Sequence, residues 1–178
     1  MELMEAIKGR RSVRKFTDEP VSEEDLKTIL EAVRWTPSWN NTQVWEVIAV
    51  RDKGIKKRLS QLLDRNPAQR ATEKAPLVLA LAARRNASGF YQGMSTTDKG
   101  DWFMYDLGLA TQNLCLAAHS LGLGTVIVGL FDAAAARSIL GIPGGYDITA
   151  LVPLGHPAHD PRAPKRRETE EFTHKDVF

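Results

Sequence analysis

Four cationic side chains and a hydroxyl fall within six consecutive positions near the start of the chain, in Gly9-Arg10-Arg11-Ser12-Val13-Arg14-Lys15-Phe16. If the segment is extended, side chains alternate, so Arg10, Ser12 and Arg14 face one way and Arg11 and Lys15 the other. Two guanidinium forks and a hydroxyl on one face suit a phosphate, whose oxygens guanidinium donors match pairwise. The competing reading is a solvated basic loop. Two further stretches carry polar chemistry: the amide- and hydroxyl-rich Pro37-Ser38-Trp39-Asn40-Asn41-Thr42-Gln43, and the basic trio Lys165-Arg166-Arg167.

Other residue sets point less far. His156 and His159 have a metal-like spacing, but only Asp160 accompanies them, and structural metal sites draw on more ligands. Gly122-x-Gly124 precedes a strand instead of following one, which argues against a dinucleotide fingerprint. Asp106 could be taken for a general base, and the alternative is a carboxylate satisfied at an interface. Cys115 lies among Leu114, Leu116 and Ala117, as a buried and inert thiol would.

These residues sit in a chain of 178, enough for one domain with a real core. A formal charge of +2 is too small to imply a nucleic-acid partner. With a single cysteine there is no internal disulfide, which fits a reducing compartment. No signal-peptide h-region and no membrane-length apolar run is present, so a cytoplasmic location is expected.

The elements that must position the polar stretches follow from periodicity. Leu3, Ala6 and Ile7 mark a short first helix closed by Gly9. Ser22 caps a second, with Leu26, Ile29, Leu30 and Val33 at helical spacing until Pro37. Trp45–Val50 reads as a strand, and Asp52 caps a helix bearing Ile55, Leu59, Leu62 and Leu63. The run from Pro76 to Ala83 lacks alternation, as a central strand covered on both faces would. Arg84–Gly100 reads as a long loop of the kind that serves as a lid or specificity element. Asp101–Ser120 is the longest helix, apolar most of the way round and so buried in a core or against another subunit. Thr125–Val128 and Ile148–Leu154 are further strands, separated by a short helix that Asp132 caps. The expected fold is a single α+β domain over residues 1–178, with a four-stranded sheet covered by helices.

From Ile7 to Arg167 the chain resembles the FMN-dependent nitroreductase family. The matching pieces are Arg10–Phe16, Pro37–Trp45, Lys74-Ala75-Pro76, Leu121–Gly129, Leu140–Pro143, Pro153–Pro157 and the Lys165–Arg167 trio. Each is weak alone, and their order and spacing make the match. The resemblance implies a three-layer sandwich with a mostly antiparallel central sheet, assembled as an interlocked homodimer whose 156–178 tail wraps the partner chain. It implies FMN at two shared sites, with NADH or NADPH as transient hydride donor. Arg10, Ser12 and Arg14 would hold the phosphate and nearby flavin oxygens, with Arg11 beside them and Lys165 and Arg167 closing the phosphate end. Pro37, Ser38, Trp39 and Asn41 would come from the partner chain and lie along the ring. Val128, Gly129 and Leu130 would lie at its pyrimidine side and N5. The implied activity is reduction of nitroaromatics, quinones or similar acceptors. A flavin store or sensor and an anion- or nucleic-acid-binding module are the alternatives. The chain departs from the family at Val44, where proline is usual, and at Trp39, where small residues are common.

Overall fold

The computed structural model describes residues 1–178. Its centre is β2 (Leu77–Arg84), the apolar run without alternation. β2 pairs antiparallel with β1 (Trp45–Val50) on one side and β6 (Tyr146–Gly155) on the other. The short β5 (Gly124–Thr125) completes the order β1-β2-β6-β5.

The two faces of β2 explain its composition. Leu77, Leu79, Leu81 and Ala83 enter a core shared with α2 (Glu23–Arg34) and α5 (Phe103–Ser120). Val78, Ala80 and Ala82 enter a second core, with α3 (Lys53–Ser60), α4 (Gln69–Lys74) and α6 (Ala133–Leu140) on the opposite side. The result is three layers, helices on a sheet on helices. On α5 the buried side is Leu107, Ala110, Leu114, Cys115 and Ala118, while Met104 and Tyr105 at its first turn are 60% and 61% exposed.

The capping signals act as their chemistry requires. Ser22 Oγ accepts from Asp25 N–H, Asp52 Oδ1 from Ile55 N–H and Asp132 Oδ1 from Ala135 N–H. Three local expectations change. α1 (Leu3–Gly9) includes Gly9 and is capped by Arg10. The strand expected at Thr125–Val128 is regular only over Gly124–Thr125, although Val126 N–H and Val128 N–H still donate to Pro153 O and Leu151 O in the same register. The 84–100 loop holds a small hairpin, β3 (Phe90–Tyr91) with β4 (Met94–Ser95), turned at Gln92-Gly93 with both φ positive.

α4 is positioned by a buried cation. Lys56, 5% exposed, donates from Nζ to Ala75 O (2.5 Å) and Pro76 O (3.3 Å) just past the end of that helix. Burial lowers its pKa, and the two carbonyls are its compensation.

Candidate functional site

The Arg10–Phe16 stretch is fastened along the sheet edge. Ser12 bridges Thr125 in parallel, Val13 N–H donates to Thr125 O at 2.8 Å, and Phe16 bridges Pro157. Val13 turns inward and is 4% exposed, leaving the polar residues on either side of it outside. The close approach depends on Gly124, where a Cβ would meet Val13 Cγ2 at 2.7 Å. An extended stretch with one apolar anchor thus displays Arg10, Ser12 and Arg14 together.

These three line a pocket of about 290 Å³ with Arg11, Arg162 and Arg166, and no carboxylate reaches it. Arg11 is partly committed elsewhere: its Nη1 donates to Lys8 O and Arg10 O at the end of α1. The basic tail therefore does return to the N-terminal cations, through Arg162 and Arg166. Lys165 and Arg167 do not line this pocket. Arg167 instead donates to Glu171 O and lies over the Phe172 ring, 5.7 Å from its centroid. Arg162 was missed because a proline-rich segment has no periodicity that shows which residues turn inward.

Arg14 also borders a second cavity of about 760 Å³, where it meets Lys15, Arg70 and Lys74. Arg70 and Lys74 are four residues apart on α4 and share one face. Lys74 is ion-paired with Glu73 at 3.0 Å, so Arg14, Lys15 and Arg70 are the unpaired cations of this cavity, which one carboxylate, Asp18, also borders. Arg70 too escaped notice in the sequence, since α4 has only Ala71 and Thr72 on its buried side and no apolar stripe to reveal it.

Val128 is buried and paired with Leu151, and beyond it the chain emerges: Gly129 is exposed and Leu130 is 70% exposed. Gly129 N–H donates to no acceptor within the chain. It faces a bulge in β6, its Cβ direction meeting Thr149 O at 3.9 Å. Asn66 Nδ2 donates to Leu130 O at 3.1 Å and ties this turn to the approach to α4.

The Pro37–Gln43 loop lies elsewhere. Trp39–Asn41 forms a 3₁₀ turn, and Trp39 N–H donates to Asp106 Oδ1 at 3.0 Å, in the first turn of α5. Arg10 and Arg11 instead share a cavity with His119, in the last turn of the same helix. His119 lies thirteen residue steps beyond Asp106 on the helix, about 20 Å of rise. Within one chain, Pro37, Ser38, Trp39 and Asn41 and the Arg10–Arg14 cations therefore flank opposite ends of α5.

His119 records the positive field. Burial, then Arg10 and Arg11, hold its imidazole below the usual 6.5. Between those two values the unfolded chain binds the proton and the folded one does not, so acidification through this window costs stability. His119→Gln is expected to flatten the fall in melting temperature just below pH 6.5, relative to the wild type. An unchanged acid slope would show that His119 does not carry this response.

Known proteins share this chain's sequence pattern and fold. The sequence profile of the Nitroreductase family matches residues 7–156. The chain is 32% identical to the FMN reductase (NAD(P)H) of Bacillus subtilis strain 168, over 99% of this chain and 74% of that protein. It is 32% identical to an NADH dehydrogenase of Thermus thermophilus, over 85% of this chain and 84% of that protein. The solved NADPH:FMN oxidoreductase of Vibrio harveyi, complexed with NAD⁺, superposes with a TM-score of 0.82 at 28% identity, covering 98% of this chain and 77% of that one.

Proposed function

The chain belongs to the Nitroreductase family and is an NAD(P)H-dependent flavin oxidoreductase, and on that premise we propose that it reduces nitroaromatic or quinone-type acceptors at FMN sites shared by two copies of the chain. The observation that carries the site assignment is the pocket without a carboxylate, where Arg10, Ser12 and Arg14 meet Arg162 and Arg166. A dianionic phosphate fits that donor set: guanidinium forks pair with its oxygens, and no acid competes for them.

Bound there, FMN would supply hydride chemistry, accepting a hydride at N5 from NADH or NADPH and giving it to the acceptor. The chain's own part is to bind and to stabilise charge. Gly129 N–H, exposed and uncommitted, is the donor available to the ring. Arg14 and Arg70 give the adjoining cavity a positive field suited to the negative charge that two-electron reduction adds. No protein base is needed. Asp106, the one buried carboxylate, is occupied by Trp39 N–H. Donor and acceptor then use the same space in turn, a ping-pong order.

Two observations support the shared site. The Pro37–Asn41 loop and the arginines of one chain lie toward opposite ends of α5, whose rise from Asp106 to His119 is about 20 Å, so a site that uses both draws them from two copies. Leu3, Met4 and Ile7 of α1 are 66%, 55% and 43% exposed, and with Met104 and Tyr105 they give the protein uncovered apolar side chains that an interface would bury. The 156–178 tail, largely exposed, is read as wrapping the partner.

The experiment is optical. Protein purified without added cofactor should be yellow, bleach anaerobically with NADH or NADPH, and recolour on adding a nitroaromatic or quinone. Colour without bleaching would favour a flavin store or sensor. Absence of colour with salt-sensitive DNA binding would favour an anion-binding module.

A further inference from the structure

The turn bearing Trp39 and Asn41 is strained and is held to the helical layer by one buried side chain. Asn40, Asn41 and Gln43 have φ of 46°, 54° and 46°, left-handed values that a Cβ disfavours. Most of the turn's hydrogen bonds are internal: Thr42 Oγ1 to Trp39 O at 2.9 Å, Gln43 N–H to Ser38 Oγ at 2.9 Å and Gln43 Nε2 to Asn41 Oδ1 at 3.2 Å. They keep its shape but not its place. Its place comes from Asp106, 1% exposed, whose Oδ1 accepts Trp39 N–H across 67 residues of sequence. The other oxygen, Oδ2, is buried with no partner in the chain, a desolvation that carries a cost. Asp106 lies in the first turn of α5, the end of a helix whose dipole favours negative charge. A carboxylate with one accepted bond, sealed from solvent, is poorly placed to exchange protons with a substrate and well placed to hold a backbone.

We propose that Asp106 is a positioning residue acting in trans: it fixes the Trp39–Asn41 turn as one wall of the flavin site whose arginines belong to a second copy of the chain. This rests on the shared-site reading above. The reach is dictated by α5, since the carboxylate and the Arg10 cluster of one chain lie at opposite ends of that helix.

The test is subunit complementation. Chains carrying Arg10→Ala and Asp106→Ala are co-expressed with different tags, and the mixed dimer is purified over both. In the mixed dimer one site collects both changes and the other collects neither. The Asp106→Ala homodimer should keep the dimer mass and lose at least about tenfold in kcat/KM for a nitroaromatic, as expected for a lost hydrogen bond to a charged group. The mixed dimer should regain one working site. Asp106→Asn, which keeps an oxygen to accept Trp39 N–H, should restore most of the loss.

Wild-type kcat/KM in the Asp106→Ala homodimer overturns the proposal, as does a mixed dimer no better than the average of its parents. An Arg10→Ala homodimer that holds flavin normally would instead overturn the shared-site reading. Should Asp106→Ala chains fail to fold, Trp39→Pro removes the same N–H from the other side. Ser38, at φ −139° and ψ 161°, already has the backbone that a following proline requires. Trp39→Pro should then fall well below Trp39→Ala, which keeps the N–H. Equal activity of the two would overturn the proposal.

Discussion

Arg10→Ala/Arg14→Ala protein is expected to emerge from dialysis colourless, while the wild type stays yellow. Each guanidinium that donates to a phosphate is worth about 1.5–3 kcal/mol, so either single change should weaken FMN by roughly tenfold or more. The double change compounds this, because both face one pocket and nothing there replaces them except Arg162, Arg166 and the partly committed Arg11. The fold should survive: both side chains lie outside the core, and Val13 between them keeps its contact with the sheet edge. Arg58→Ala is the control, an exposed arginine on α3 that does not line this pocket. Unaltered flavin absorbance in the dialysed double variant would remove the phosphate from this pocket.

The second large effect comes from a residue with no functional group. Gly124→Val should both lower the melting temperature and release flavin. A side chain at this position would reach Val13 Cβ at 2.8 Å and Cγ2 at 2.7 Å. Val13 is bound to the neighbouring Thr125 carbonyl and cannot move alone. Overpacking of this kind costs about 1–3 kcal/mol, or several degrees at this chain length. Relief of the clash means lifting the Arg10–Arg14 stretch off β5, which disperses the cations. Gly144→Ala is the matched control: no atom lies within 4 Å of its added Cβ, and its φ is not in the left-handed region, so little should change. A Gly124→Val protein with wild-type melting and flavin content would show that the stretch is not pinned here.

Both predictions depend on features that were unequally readable in the sequence. The layers were legible because β2 and α5 announce themselves, one as an unbroken apolar run and the other as a long helix ended by Gly122 at φ +78°. The caps were legible because Ser22, Asp52 and Asp132 each precede a donor at the right spacing. The phosphate-side stretch was legible from its run of cations, although alternation put Arg11 on the other face and the structure has it lining the same pocket as Arg10, Ser12 and Arg14. Other features left no such trace. α4 buries alanine and threonine, which carry no hydropathy signal, so Arg70 was invisible. In the tail, Arg162 and Arg166 line the pocket beside Pro161 and Pro164, whereas the resemblance pointed to Lys165 and Arg167, and no periodicity there shows which side chains turn inward. The Asp106 bond to Trp39 spans two elements whose contact only tertiary packing reveals.

The position of Cys115 has a practical consequence. It is the chain's single thiol and is fully buried, and burial pushes its pKa up, so the reactive thiolate is scarce as well as shielded. A thiol reagent added to the intact protein should therefore react only when α5 leaves the sheet, and its rate becomes a clock for opening of the whole core. Ligands that close the site should slow that clock without touching the cysteine.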